Sequence, residues 1–381
     1  MSACFLKVLN ISITAGWLVS AVVLLRFALK KAPKWVRCML WALVALRLLL
    51  PIKIESNLSL LPSAEPVRTE SVAAEAVPGR IETPVLYEHV VLHSGFSAVD
   101  DAVNPVMAKT AEDQAKTGAT LLSVETASWI WAAGACAMLL YSAFSFLYMR
   151  RKVRASIETE PNVYVCDDVK SPFILGAIRP KIYLPSGLDA QSRAYVLAHE
   201  RAHIKRLDHL WKPLGFVLLS IHWFNPLIWI AFILLSRDIE FACDEKVIAQ
   251  LDAEGKAAYS HTLLACSRPH RAISVCPVAF GEVGVKKRIR SVLSYRKSAL
   301  WIVLVALFSV AAVGVCFLTA PKPVKTDRTA SAANKTISSV KLPLPKKLSL
   351  NADAESDLPD QKIPSYLLAL SSIAQFNDTV E

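Results

Sequence analysis

Four apolar runs, at residues 8–25, 35–50, 127–149 and 299–319, constrain this chain more than any other feature of it. Crossing the hydrocarbon core of a bilayer takes about 20 apolar residues of helix, and each run reads as one crossing. With 381 residues, 54% of them hydrophobic, the chain has room for these helices and a folded attachment. The first run does not read as a cleavable leader, because it is long and no small-x-small site precedes the basic residues after it.

Charge orients the helices. The formal net charge is +11, but the basic residues gather at the ends of apolar runs instead of lining a soluble face, which argues against direct nucleic-acid binding. RFALKKAPKWVR, between the first two runs, holds five basic residues and no acid, while RRKVR follows the third run and KKRIRSVLSYRK precedes the fourth. Residues 53–126 hold 11 acidic and 5 basic residues. Positive-inside bias then predicts a multi-pass cell-membrane protein with both termini outside. In this plan 1–52 is two transmembrane helices with a basic cytoplasmic linker, 53–126 an extracytoplasmic loop and 127–149 the third helix. Residues 150–298 form a cytoplasmic domain, 299–319 the fourth helix, and 320–381 a poorly ordered extracytoplasmic tail. The loop is expected to be loose, with one short strand at PVLYEHVVLH.

A fifth apolar run, 211–235, would break this parity if it crossed. It is therefore predicted to be a re-entrant or buried hairpin, interrupted at HWFNP, where Pro226 donates no N–H and biases Asn225 away from helix. Neither outside segment contains a cysteine and there is no CxxC pair, so no disulfide framework is expected and cysteine is a poor metal ligand here.

Within the cytoplasmic segment, PNVYVCDD and SPFILGAIRPKIYLP read as short strands. The second is either an edge that takes an extended peptide or a plain hairpin. DAQSRAYVLAHERAHIKR reads as a helix capped by Asp189 or Ser192, and further helices are expected near 236–251 and 256–266.

The helix carries the chemistry. His199 and His203 are four apart, so they share a face and can hold one ion, and Glu200 between them suits a general base. A third ligand is needed. His209 has the spacing of the extended motif HExxHxxGxxH, but Arg206 stands where that motif has the glycine that lets the chain turn. The better candidate is Glu240, with Asp244 one turn on, able to support a ligand from behind. Tyr259 and His261 are candidate oxyanion donors on the next helix.

LAHERAHIKRLDH, HWFNPLIW and DIEFACDE, in this order, with SPFILGAIRPKIYLP upstream and membrane helices on both sides, resemble the BlaR/MecR family of membrane metallopeptidases. The resemblance covers about residues 1–320. It implies a polytopic α-helical membrane protein with a cytoplasmic α+β gluzincin-type zinc metallopeptidase domain, binding Zn2+ and causing loss of a cytoplasmic transcriptional repressor. The chain is expected to depart from the sensor members of that family at its C-terminus, where the residues after the fourth apolar run are too few for their penicillin-binding domain. One S-x-x-K match, Ser338 to Lys341, has no KTG or SDN partner and reads as coincidence.

Three functions compete: a zinc endopeptidase in transmembrane signalling, a non-proteolytic receptor or scaffold with a structural metal, and a transporter. Glu200 favours the first, since a structural site needs no general base. The basic connector before the fourth helix either anchors that helix or is a self-cleavage segment, with the bond between Ser294 and Tyr295 as the candidate.

Overall fold

The computed structural model describes residues 1–50, 55–56, 59–61, 66–73, 86–94, 97–117, 124–266 and 284–321. The tail expectations, including Ser338 and Lys341, lie outside these residues. The first apolar run forms α1 (Ser2–Ala28), and Pro33 starts α2 (Lys34–Leu49). At 16 residues α2 is about 24 Å long, shorter than a hydrocarbon core. Three helices among the described residues, not four, are long and apolar enough to cross a membrane: α1, α4 (Val124–Lys152) and α10 (Leu300–Leu318). Arg37 and Arg47 sit inside the apolar run 35–50 and both are buried against protein.

Residues 53–126 hold more structure than their weak periodicity suggested. After β1 (Glu55–Ser56), β2 (Val67–Ala73) and β3 (Leu86–Leu92) pair antiparallel, with Val67 opposite Leu92, and α3 (Ser97–Thr117) follows. The helix is tied to the hairpin by polar side chains rather than an apolar stripe. Asn104 both donates to and accepts from the Leu92 backbone, and Asp100 accepts from Ser94 N–H. Val99, Val103 and Met107 recur at helical spacing, but Val99 and Met107 are exposed, so the spacing marks no buried apolar face.

A four-stranded sheet follows α4: β4 (Ile157–Glu160), β5 (Val163–Val165), β6 (Phe173–Leu175) and β7 (Lys181–Leu184), in spatial order β4-β5-β7-β6. β5 and β7 are parallel and the outer pairs antiparallel. FILGAIRPKIYLP is thus a β6–β7 hairpin, with β6 on one edge of the sheet and β4 on the other. Gly176 takes φ 109° in its turn, where a Cβ would meet the Arg179 carbonyl at 2.6 Å. Val163, Ile182 and Leu184 face Val196 and Leu197 of α5 (Ala190–Lys205), which Asp189 caps by accepting from Ser192 N–H at 3.0 Å.

α6 (Asp208–Ile221) and α7 (Pro226–Ile248) form a helical hairpin, followed by α8 (Ala253–Cys266) and α9 (Val285–Leu293). The apolar halves of α6 and α7 join the helix bundle. Phe216, Leu219, Ile228 and Phe232 share one buried cluster with Leu18 and Val22 of α1, Leu40 and Val44 of α2, and Ala306 of α10. At the hairpin tip Asn225 caps α7 and donates to Ser12 on α1, while Trp223 packs where Gly134 of α4 has no side chain. β8 (Ala320–Pro321) pairs with β1 beyond α10.

Candidate metal centre

His199 and His203 lie one turn apart on α5, their rings edge-to-face and their Nε2 atoms 3.1 Å apart. Glu240 faces them from α7, with Oε2 3.5 Å from His199 Nε2 and Oε1 3.6 Å from His203 Nε2. One ligand atom from each of the three lies within 4.8 Å of the others, and all three residues are buried, as is Glu200 beside them.

Each imidazole is fixed through its other nitrogen. His203 Nδ1 meets Asp208 Oδ2 at 3.0 Å. His199 Nδ1 meets the Tyr259 hydroxyl at 2.9 Å and Asp244 Oδ1 at 3.3 Å, and that hydroxyl donates to Asp244 at 2.7 Å. Partners of this kind set ring orientation and ligand basicity. Tyr259 therefore sits on the side of the ring away from Nε2. That place suits orienting the imidazole rather than donating to an oxyanion. His261 is exposed two residues on along α8.

The turn after α5 explains Asp208. Without glycine at 206 the chain was expected to run on, yet it turns one residue later. Leu207 takes φ 61°, a left-handed conformation that costs a non-glycine residue about 1–2 kcal/mol, and α6 begins at Asp208. The turn brings Asp208 to the site, while His209 stays outside the metal group.

Two cations complete the site, and both were missed in the sequence. Lys212 Nζ donates to Glu240 Oε1 at 2.8 Å. Arg288 closes its fork on Asp244 with bonds of 2.7 and 2.8 Å, and its Nη1 lies 3.3 Å from Glu240 Oε2. Arg288 had read as one more basic residue of a membrane anchor. Its signal was spacing: on α9 it lies four residues from the apolar Val292, and both are buried while Lys286, Lys287 and Arg290 are exposed.

Burial disfavours every charge here, and neighbours outweigh it. It would pull His199 down, yet hydrogen bonds to Asp244 and Glu240 hold the imidazole up to about 9. It would raise both carboxyls, yet Lys212, His203 and Arg288 keep Glu240, and Arg288 keeps Asp244, well below the usual carboxylate range. Cys243 lies 3.1 Å from His203 Nδ1 and donates to Asp208, and burial pushes its thiol well up. His203, Asp208 and Cys243 form a second close group, but a neutral thiol and the Arg206 contact to Asp208 make it a hydrogen-bonded support. Two imidazoles and a carboxylate, each histidine backed by a carboxylate, form a donor set that suits zinc.

The bond between Ser294 and Tyr295 lies at the end of α9. Ser294 N–H bonds the Arg290 carbonyl, Tyr295 N–H bonds that of Val292, and Tyr295 packs against the cluster of Ile248, Tyr259 and Val292. It is folded into a helix end rather than laid out as a strand.

This fold and site define a helical membrane protein in which two packed helices bring two histidines and a glutamate close enough together to hold one metal ion. The chain belongs to the BlaR1 peptidase M56 family, whose family model matches residues 6–295. It is 26% identical over 198 residues to the regulatory protein BlaR1 of Bacillus licheniformis, an alignment covering 45% of this chain and 33% of that protein. It is 28% identical over 104 residues to the methicillin resistance mecR1 proteins of Staphylococcus aureus (strain Mu50) and Staphylococcus epidermidis, covering 26% of this chain and 18% of theirs. The matched part thus spans a third or less of these relatives.

Proposed function

We propose that this chain is a zinc-dependent membrane endopeptidase that relays a signal by cleaving a cytoplasmic protein. A transcriptional repressor is the substrate class that the motif resemblance to the BlaR/MecR family implies. The observation that carries the reading is the buried convergence of His199, His203 and Glu240 beside Glu200. His199, His203 and Glu240 would hold the ion, which when bound supplies Lewis-acid polarisation of a peptide carbonyl. Glu200 takes a proton from water as its oxygen bonds to the carbonyl carbon, and gives that proton to the leaving nitrogen as the C–N bond breaks. Asp208, Asp244 and Tyr259 hold the two rings with Nε2 toward Glu240.

In this reading α1, α2, α4 and α10 cross the membrane, the termini and residues 53–126 lie outside, and β4–β7 with α5, α8 and α9 lie in the cytoplasm. α2 supports a crossing despite its length, because Arg47 near its end donates to the Leu318 carbonyl at the end of α10. Self-cleavage between Ser294 and Tyr295 would need the last turn of α9 to unwind first. The test is the purified full chain reconstituted with zinc and assayed on a peptide library beside Glu200→Gln. Cleavage by the wild type alone supports the peptidase. Equal cleavage by both points to a contaminant, and no cleavage with zinc bound favours a receptor with a structural metal.

A further inference from the structure

α7 is a helix with two occupied faces. Glu240 and Asp244, four apart, point at the metal centre. Asp238 precedes Glu240 by two residues, about 200° around the helix, and so faces away from it, with Glu245 two turns on along the same side. This second face is held by the junction of α1 and α2. Asp238 is fully buried and takes two bonds from Arg26 of α1, at 2.7 and 2.9 Å, and one from the Trp41 indole of α2 at 2.9 Å. Arg37 Nη1 stands 3.9 Å from it. Glu245 accepts from the Lys34 backbone N–H, which opens α2, at 2.7 Å.

A second tie reaches the histidine side. Arg206, after α5, donates to Cys38 of α2 and also to Asp208, the partner of His203. Both helices that carry the metal ligands are therefore fastened to one point on the first two helices of the chain, which the sequence had assigned to the membrane part alone. The far end of α1 is also engaged: Asn10 both donates to and accepts from the Val67 backbone of β2. Sixteen residues of helix, about 24 Å, separate Asn10 from Arg26.

We propose that Asp238 is a positioning residue through which Arg26 and Trp41 set where Glu240 stands, making the α1–α2 junction part of the frame of the metal centre. The proposal rests on the reading of Glu240 as a ligand. A bidentate arginine with an indole donor fixes the position and rotation of a carboxylate, and with it the helix turn from which Glu240 projects. Displacing α1 then moves one ligand against the other two.

The test uses the full chain in detergent with Arg26→Gln and Trp41→Phe, the second removing one hydrogen bond while keeping the ring in its packing. Three readouts are taken: zinc affinity by competition with a chelating dye, thermal unfolding, and hydrogen exchange across 236–245. The expected result is a zinc affinity lowered about tenfold or more in both variants while they remain folded, with faster exchange confined to 236–245. A purely structural contact predicts lower unfolding temperatures with affinity in the folded protein within about twofold of wild type, and that result overturns the proposal. If the wild type binds no zinc, the metal reading fails on its own, and exchange decides the clamp: faster exchange at 236–245 upholds it and unchanged exchange rejects it.

Discussion

Arg288 of α9 and Asp244 of α7 form a two-point ion pair one helical turn beyond Glu240, with both side chains buried. Asp244 in turn meets His199 Nδ1, and the guanidinium also lies 3.3 Å from Glu240 Oε2 and from His199 Nε2, so it acts on the metal centre both directly and through the carboxylate. α9 leads directly toward α10, which gives the pair a mechanical connection to a membrane helix. Arg288→Lys keeps the charge and loses the fork. Zinc affinity in this variant is expected to fall about 10–100-fold, the usual consequence of losing an outer partner of a ligand. Arg288→Ala leaves a buried carboxylate uncompensated and is expected to destabilise the fold by about 3–5 kcal/mol. Chelator competition and thermal unfolding separate the two outcomes.

The ligand assignment predicts opposite signatures for two neighbouring acids. Glu200→Gln is expected to keep its zinc and lose about 10²–10⁴-fold in peptide cleavage, because only the proton carrier is gone. Glu240→Gln is expected to lose zinc first, by weakening one of three ligands. Elemental analysis of both purified variants checks this. Full zinc content in a folded Glu240→Gln protein would move the third ligand elsewhere.

How much of this could be read beforehand depended on distance along the chain. His199, His203 and Glu200 lie within one helical turn, and Asp244 follows Glu240 by another, so periodicity alone brought each pair onto one face. Asp208 was hidden because the turn that aims it uses Leu207 in a left-handed conformation, which no residue preference announces. Lys212, Arg288 and the Asp238 clamp depend on helices meeting across 28, 44 and 212 positions, and a lysine or arginine looks the same in sequence whether it faces solvent, lipid or a buried carboxylate. α3 was missed for a related reason, since its anchors are asparagine and aspartate bonds to backbone. The buried places of Arg37 and Arg47 within the apolar run 35–50 were likewise illegible, because counting apolar residues does not say what an arginine faces.

The α5 cap gives a pH signature outside the metal group. Hydrogen bonds from Ser192 hold the Asp189 carboxyl below its ordinary range. A depressed carboxylate contributes stability above its unfolded pKa, about 3.9, and loses it as pH falls through the folded value. Protection of the first-turn amides of α5, corrected for intrinsic exchange, is therefore expected to be steady above about pH 4 and to drop below it. Asp189→Asn, which caps without a charge, is expected to remove that drop, and Asp189→Ala to lower protection at every pH. A drop of equal size in Asp189→Asn would assign the acid sensitivity to another group.

The path of the α6–α7 hairpin makes a topological prediction. Its tip lies beside Ser12 in the first half of α1, through Asn225. Its two open ends lie together at the other end of that helix: Arg206 reaches Cys38 near the start of α2, and Asp238 reaches Arg26. A segment that enters and leaves a bundle at the same end does not change sides, however apolar it is. Lys205 and Lys286 are both exposed, one before the hairpin and one after it, and each can carry a probe cysteine without touching the site. Impermeant thiol labelling in intact cells and in inverted vesicles is expected to place Lys205→Cys and Lys286→Cys in one compartment. Val99→Cys, exposed on α3, is expected in the other. Opposite compartments for the two lysine positions would turn α6–α7 into a crossing and reverse the side on which α9 and α10 meet.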